Sequence, residues 1–376
     1  MTRRPTPTGE YAVGTFTYTV YNDREEERAP GTKRSIPARV YYPVDKESVK
    51  GMNMTRYMTR NVAEGLKKSV HAPINYDKAE AAGDNVSECY TDAPKIEGAR
   101  FPLVIFNHGL FSYRESNSFL CIELASHGYV VIAIGHPYDA CCAELDDGTS
   151  IFFDKQLSKK QYDPFLGGVM KMMKLVRSKC ADRELAKQFD ELQKDYCKLI
   201  MSRVSEWEKD TTSALNYART HYSDLIDFDR GIAVTGHSLG GAVAYQLCLD
   251  QPDFVCGVNL DGALFGDNWG KVLKKPFIQV SCKSNVNAEK RTFIDHTVNV
   301  YGAVFEDMQH LGFTDMKHMM NIKILTGKLD ADVVHENVCR LHLELFDTYL
   351  KGIKDRPEIE SNESVVITEY PPDMSE

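Results

Sequence analysis

The chain has 376 residues, of which 43% are hydrophobic and 26% charged, with a formal net charge of −9. That balance can bury a core large enough for independent folding and excludes broad disorder. The acidic total comes without a concentrated lysine and arginine stripe, which excludes the electrostatic footprint of a nucleic-acid partner.

The chain starts Met1-Thr-Arg-Arg4 with no apolar run behind the two positive charges, and no later stretch approaches the ~18 apolar residues of a membrane span. An unexported, cytoplasmic protein is expected. Thr15–Asn22 alternates threonine and tyrosine with other residues, and Ile36–Tyr42 is β-branched and aromatic. With a charged Glu25–Arg28 turn and Pro30-Gly31 between them, the two runs predict an antiparallel hairpin. Residues 50–100 turn polar and irregular, with one helix expected near Asn61–Val70, and read as an insertion.

At Phe101 the pattern changes. Phe101-Pro-Leu-Val-Ile-Phe106 runs into Asn107-His-Gly-Leu110, followed by a helical stretch at Ser116–Ser126 and a second apolar run at Tyr129–Gly135. Continuous apolar strands alternating with helices predict a mostly parallel sheet covered on both faces. Gly231–Thr235, Val255–Leu260, Pro276–Ser281 and Val300–Phe305 continue it, and Val333–Leu350 reads as a closing helix.

Residues 139–203 show dense helix formers, including the methionine-rich Gly168–Val176 and Arg183–Ile200, and predict a helical cap. The methionines could line an adaptable apolar pocket or touch a lipid surface. The reading is therefore a core of residues 1–138 and 204–354, the cap at 139–203, and an acidic tail at 355–376.

The ten cysteines are scattered, several inside strand- or helix-like runs, and read as reduced core thiols. Adjacent Cys141 and Cys142 could bind a metal or sense oxidants, but no Cys-x-x-Cys or Cys/His cluster accompanies them, and no metal is assigned.

The segment with the most chemistry is Gly231–Ala242, where an apolar strand enters Gly236-His-Ser-Leu-Gly240 and then a helix. A serine in a sharp strand-to-helix turn adopts a strained backbone, and small residues two before and two after it avoid collision, hence Gly236 and Gly240. The following helix turns its N-terminal amides toward developing negative charge. Ser238 is the expected nucleophile.

A hydroxyl needs a base to take its proton, and the base needs an orienting carboxylate. His310 is the chosen base, because it lies on a loop after the Val300–Glu306 run; His296, His318, His335 and His342 are the competitors. Asp261 is the chosen acid, at the tip of the strand after the nucleophile, with Asp267, Asp295 and Asp307 as rivals. The Leu110 and Leu239 amides are expected to form the oxyanion hole, while His108 and His237 are expected to brace their own loops.

These segments, with Leu124-Ala-Ser-His-Gly-Tyr-Val-Val131, Asn259-Leu-Asp-Gly-Ala263, the His310 loop with Phe313 and Asp315, and Phe346-Asp-Thr-Tyr-Leu-Lys-Gly352, carry a family likeness. The chain resembles the platelet-activating factor acetylhydrolase group, in its lipase-like class within the α/β-hydrolases, from about Phe101 to Gly352 with the middle excluded. The resemblance implies an α/β-hydrolase fold, an acid after the strand that follows the nucleophile (matching Asp261), and oxyanion amides at Leu110 and Leu239.

The expected activity is hydrolysis of lipid-like or short- and medium-chain acyl esters through an acyl-enzyme, without a cofactor. Membrane contact would run through the cap. The alternatives are an amidase or peptidase, a polyester or lactone hydrolase of the same fold, and a non-catalytic binding protein on a hydrolase scaffold.

Overall fold

The computed structural model describes residues 4–153, 165–320 and 322–372. It divides into two compact units: Met1–Asp154 with Lys209–Gly231 and His318–Met320, and Lys155–Glu208 with Ile232–Lys317 and Asn321–Glu376.

In the first unit, β1 (Ala12–Glu25) and β2 (Lys33–Val44) form the expected antiparallel hairpin, with an irregularity between Tyr21 and Glu25. Residues 50–100 hold more order than their polarity suggests. Helix α1 (Arg60–Val70) is capped by the Thr59 hydroxyl, which accepts from the Val62 amide at 3.2 Å, and α2 (Tyr76–Ala81) follows. The pairs β3 (Thr55–Arg56) with β4 (Val86–Ser87), and β5 (Tyr90–Thr91) with β1, are two residues long. Runs that short leave no alternation for a sequence to reveal.

Strands β6 (Leu103–Asn107) and β7 (Val130–Ile134) pair in parallel around α3 (Ser118–Ser126), and β2 joins β7 antiparallel. Every residue of β6, β7 and α3 is buried, which explains their uninterrupted apolar text. β8 (Cys142–Glu144) and β9 (Ser150–Phe152) form a small hairpin inside the stretch read as wholly helical. Cys141 and Cys142 are buried beside Tyr57 and Leu66, and burial pushes the Cys142 thiol up to about 12, so both behave as core side chains.

The second unit begins with α4 (Phe165–Val176), α5 (Asp182–Tyr196) and α6 (Lys198–His221), whose residues from 209 onward count with the first unit. Strands β10 (Ile232–His237), β11 (Phe254–Leu260), β12 (Phe277–Cys282) and β13 (Val300–Phe305) then pair in parallel in that order. Between β10 and β11 lies α7 (Leu239–Asp250), and α8 (Ala331–Phe346) is the expected closing helix.

The acidic tail is not without structure: Val365–Tyr370 forms β14, antiparallel to β13, with Val365 opposite Phe305. Alternate residues of an edge strand face solvent, so its text is half polar and resembles a tail. Among the described residues no helix is long and apolar enough to cross a membrane.

Candidate active site

Ser238 stands where β10 ends and α7 begins, with φ 56° and ψ −121°. A non-glycine residue in that region is strained, and such strain persists only where neighbours over-determine it. Here the Ser238 amide donates to the Leu260 carbonyl at 2.9 Å, while the Ser238 carbonyl accepts from Gly241 at 2.9 Å and Ala242 at 3.2 Å. The chain cannot relax without breaking the strand or the helix start.

The partner turn is built the same way. Asp261 follows β11 directly, with φ 57°, and its amide donates to the Val280 carbonyl at 2.7 Å. Inside the turn, the Asn259 side chain accepts from the Gly262 amide at 2.8 Å and donates to the Gly262 carbonyl at 2.8 Å and to Gln279 Oε1 at 2.9 Å. A Cβ on Gly262 would fall 2.1 Å from the Ser238 carbonyl oxygen, and one on Gly241 would fall 1.8 Å from Asn259 Oδ1. The two turns therefore fit only because both positions lack a side chain.

His310 opens a short 3₁₀ turn, His310–Phe313, after β13. Its Nδ1–H donates to Asp261 Oδ2 at 2.7 Å, and its Nε2 accepts from the Ser238 hydroxyl at 2.9 Å. The Asp261 side chain is fully buried and that of His310 is 39% exposed, so the acid is shielded from water while the imidazole edge stays reachable. His237 Nε2–H donates to the His310 carbonyl at 2.9 Å, which steadies the loop from the elbow itself.

Asp261 receives further bonds that the text did not reveal. Its Oδ1 accepts from the Cys282 amide at 2.6 Å, and its Oδ2 accepts from Asn285 Nδ2 at 2.8 Å and faces Cys282 Sγ at 3.2 Å. Ser281 and Glu289 lie beside this cluster, the Ser281 hydroxyl donating to the buried Glu289 carboxyl. Burial, then the charge of Asp261, raises Glu289 well above the ordinary carboxylate range. Only the three-dimensional return of β12 to β11 brings these residues to the acid.

The rival residues are otherwise engaged. Asp295 pairs with Arg183 at 2.6 Å and Arg291 at 3.3 Å, and Asp267 faces Lys271 at 3.5 Å, and Asp307 faces Lys328 at 3.9 Å. His296 Nδ1 bonds the Val298 carbonyl, His335 faces Cys339, and His318 packs edge-on to Phe119. His342 is buried between Thr235 and the Val338 carbonyl, and burial depresses it to about 4.

Leu239 is the first residue of α7, where first-turn amides lack intrahelical acceptors. Leu110 lies in the first unit on the turn after β6, held by bonds from Phe111 to the Asp139 carbonyl at 2.9 Å and from Ser112 to the Gly109 carbonyl at 3.0 Å. His108 braces that turn, its Nδ1–H donating to the Gly109 carbonyl at 2.7 Å and its Nε2 accepting from the His136 amide at 3.2 Å. Burial depresses His108 to about 3, which keeps it neutral and able to accept.

Behind the turn, His136 bridges Asp210 Oδ2 and Asn107 Oδ1, at 3.0 Å each, and Asp210 takes the Arg34 guanidinium at 2.8 and 2.5 Å. Among the described residues no cluster of three metal-ligating side chains occurs.

The model of the family described as platelet-activating factor acetylhydrolase, isoform II, matches residues 1–364. The chain belongs to that family. Two relatives named platelet-activating factor acetylhydrolase come from Cavia porcellus, 24% identical over 69% of this chain and 60% of the relative, and Bos taurus, 26% identical over 63% and 54%. A Gallus gallus relative of the same name is 24% identical over 86% of this chain and 75% of its own length. The chain thus matches less than two thirds of the length of the first two. Among solved structures, a ferulic acid esterase from Streptomyces cinnamoneus superposes with a TM-score of 0.70 at 19% identity, covering 96% of this chain and 98% of that one. That match establishes the α/β-hydrolase fold for this platelet-activating factor acetylhydrolase family member.

Proposed function

We propose that the chain is a serine ester hydrolase acting through an acyl-enzyme, with Ser238 as nucleophile, His310 as base and acid, and Asp261 as its orienting carboxylate. The observation that carries the proposal is the unbroken line of hydrogen bonds from Asp261 through His310 to the Ser238 hydroxyl. As Ser238 attacks an ester carbonyl, its proton passes to His310 Nε2. The amide of Leu239, at the positive end of α7, holds the developing oxyanion. His310 then protonates the leaving alcohol, and water repeats the sequence on the acyl-enzyme. No cofactor takes part.

The substrate proposed is a lipid-like ester with a short or medium acyl chain, a reading supported by curated relatives that carry the name platelet-activating factor acetylhydrolase. Membrane contact through the cap belongs to the same proposal. Met170 and Met173 are 78% and 50% exposed on α4, beside exposed Lys171, Lys174 and Arg177, a combination suited to an anionic lipid surface. A cytoplasmic location fits ten cysteines that form no disulfide, of which Cys180 alone is exposed; recovery of the protein from the secretory pathway would contradict it. In the same proposal, residues 1–138 and 204–354 form the hydrolase core and residues 139–203 its cap.

Labelling with a fluorophosphonate probe tests the chemistry. Stoichiometric modification at Ser238, lost in Ser238→Ala, is the expected result, and a folded protein that resists the probe and hydrolyses no p-nitrophenyl ester overturns the proposal. Matched ester and anilide substrates separate an esterase from an amidase, and a chain-length series without preference for apolar acyl groups rules out the lipid-like class.

A further inference from the structure

The segment between β12 and β13 connects Asp261 to the helices α4 and α5. Asn285 Nδ2 reaches Asp261 Oδ2, while two residues on, Asn287 Nδ2 donates to the carbonyls of Leu175, Val176 and Ser178 at 3.1, 3.0 and 2.9 Å, closing the C-terminal end of α4. Ala288 packs with Leu175 and Phe189, and Lys290 pairs with Asp182 at 3.0 Å. The backbone that carries Asn285 is thus held by the cap on its far side. Asn285 reaches the acid from a fixed base.

On the other side of the carboxylate, Cys282 contributes twice, its amide to Oδ1 and its thiol toward Oδ2. An ionised carboxylate only accepts, so the thiol must be the donor; the Ser284 hydroxyl, 3.2 Å from the sulfur, can donate to it in turn. The proton order Ser284 O–H to Cys282 S–H to Asp261 is self-consistent. Burial pushes the Cys282 thiol up to about 12, with the charge of Asp261 adding to the effect, and so keeps the donor protonated.

We propose that Asn285 and Cys282 are positioning residues of the candidate triad, their side-chain N–H and S–H fixing the Asp261 carboxylate so that Oδ2 stays directed at His310 Nδ1. This rests on the triad reading above. Three donors converge on one oxygen and the fourth holds its twin, so the carboxylate has no free rotation about its terminal bond. The two side chains also share the negative charge that the imidazolium would otherwise take alone.

The test is steady-state hydrolysis of p-nitrophenyl butyrate across pH by Asn285→Ala, Cys282→Ala, Cys282→Ser and the Ala/Ala double variant, with fluorophosphonate titration of competent sites and a melting curve for each. Asn285→Ala is expected to lower kcat about 10-fold per titrated site with KM changed less than about twofold, the scale of one hydrogen bond to a charged group. The acidic limb of the kcat/KM profile should move to higher pH, because a carboxylate with fewer donors stabilises the imidazolium more. The double variant should lose about 100-fold, and Cys282→Ser, which keeps a donor, should recover most of the Cys282→Ala loss.

Unchanged kcat and pH limb per titrated site in the double variant overturn the proposal. So does a loss confined to KM or to melting temperature, which a purely structural role would produce. Ser238→Ala and Asp261→Asn run alongside: turnover retained in either identifies failure of the triad reading itself rather than of the positioning role.

Discussion

His310 Nδ1 lies 2.7 Å from Asp261 Oδ2, joining the 3₁₀ turn after β13 to the buried end of β11 across 49 residues of sequence. The donor position is Nδ1, so the carboxylate selects the tautomer whose Nε2 lone pair faces Ser238. Asp261→Asn, which can present N–H to the same nitrogen, should favour the wrong tautomer and lower kcat about 10³- to 10⁴-fold with little change in melting temperature. Kinetics on p-nitrophenyl butyrate beside circular dichroism check this.

Residues that act as one unit lose their effect together. Ser238→Ala and His310→Ala should each lower kcat at least about 10⁴-fold, and the double variant should be no worse than the poorer single one. Additive losses would show that the two side chains work independently.

Gly262→Ala places a Cβ 2.1 Å from the backbone oxygen of Ser238, an atom that only a shift of the main chain can move away. A cost of about 1–3 kcal/mol in stability is expected from such overpacking, together with a fall in kcat, because the displaced atom belongs to Ser238. Urea unfolding and turnover measured on the same preparation give both numbers.

The Glu289 carboxyl, buried beside Asp261, titrates above its ordinary 4.5. A raised acid contributes stability that is complete below the unfolded value and lost as pH rises through the folded one. Glu289→Gln keeps the shape and removes that loss. Its urea midpoint should equal or exceed that of the parent at neutral pH, and should fall less between about pH 5 and pH 8.

Asp210 shows the opposite sign. Burial alone would raise its carboxyl, but the charge and hydrogen bonds of Arg34, then the contact with His136, hold it well below its ordinary 3.8. Its contribution is present above the unfolded value and lost as pH falls. Asp210→Asn removes one of the two carboxylates that face the buried Arg34 guanidinium, Glu26 remaining as the other, and should cost about 2–3 kcal/mol, read by urea unfolding at neutral pH, and should flatten the acid side of the stability profile.

The sequence by itself determined the elements whose signal is local. Five-residue strands buried on both faces read as unbroken apolar runs, and the strand, Gly236-His-Ser-Leu-Gly240 and helix succession identifies a strained serine, because backbone strain demands small neighbours in fixed positions. Only the tertiary structure decided what long-range packing sets. It put Asp261 rather than Asp295 against His310 and brought Cys282 and Asn285 onto the acid. It made Gly241 and Gly262 obligatory through a close approach of two turns, and it recruited Val365–Tyr370 to an edge. A hydrogen-bond partner tens of residues away leaves no period in the text, since the distance that matters to it is through space, and folding alone creates that distance.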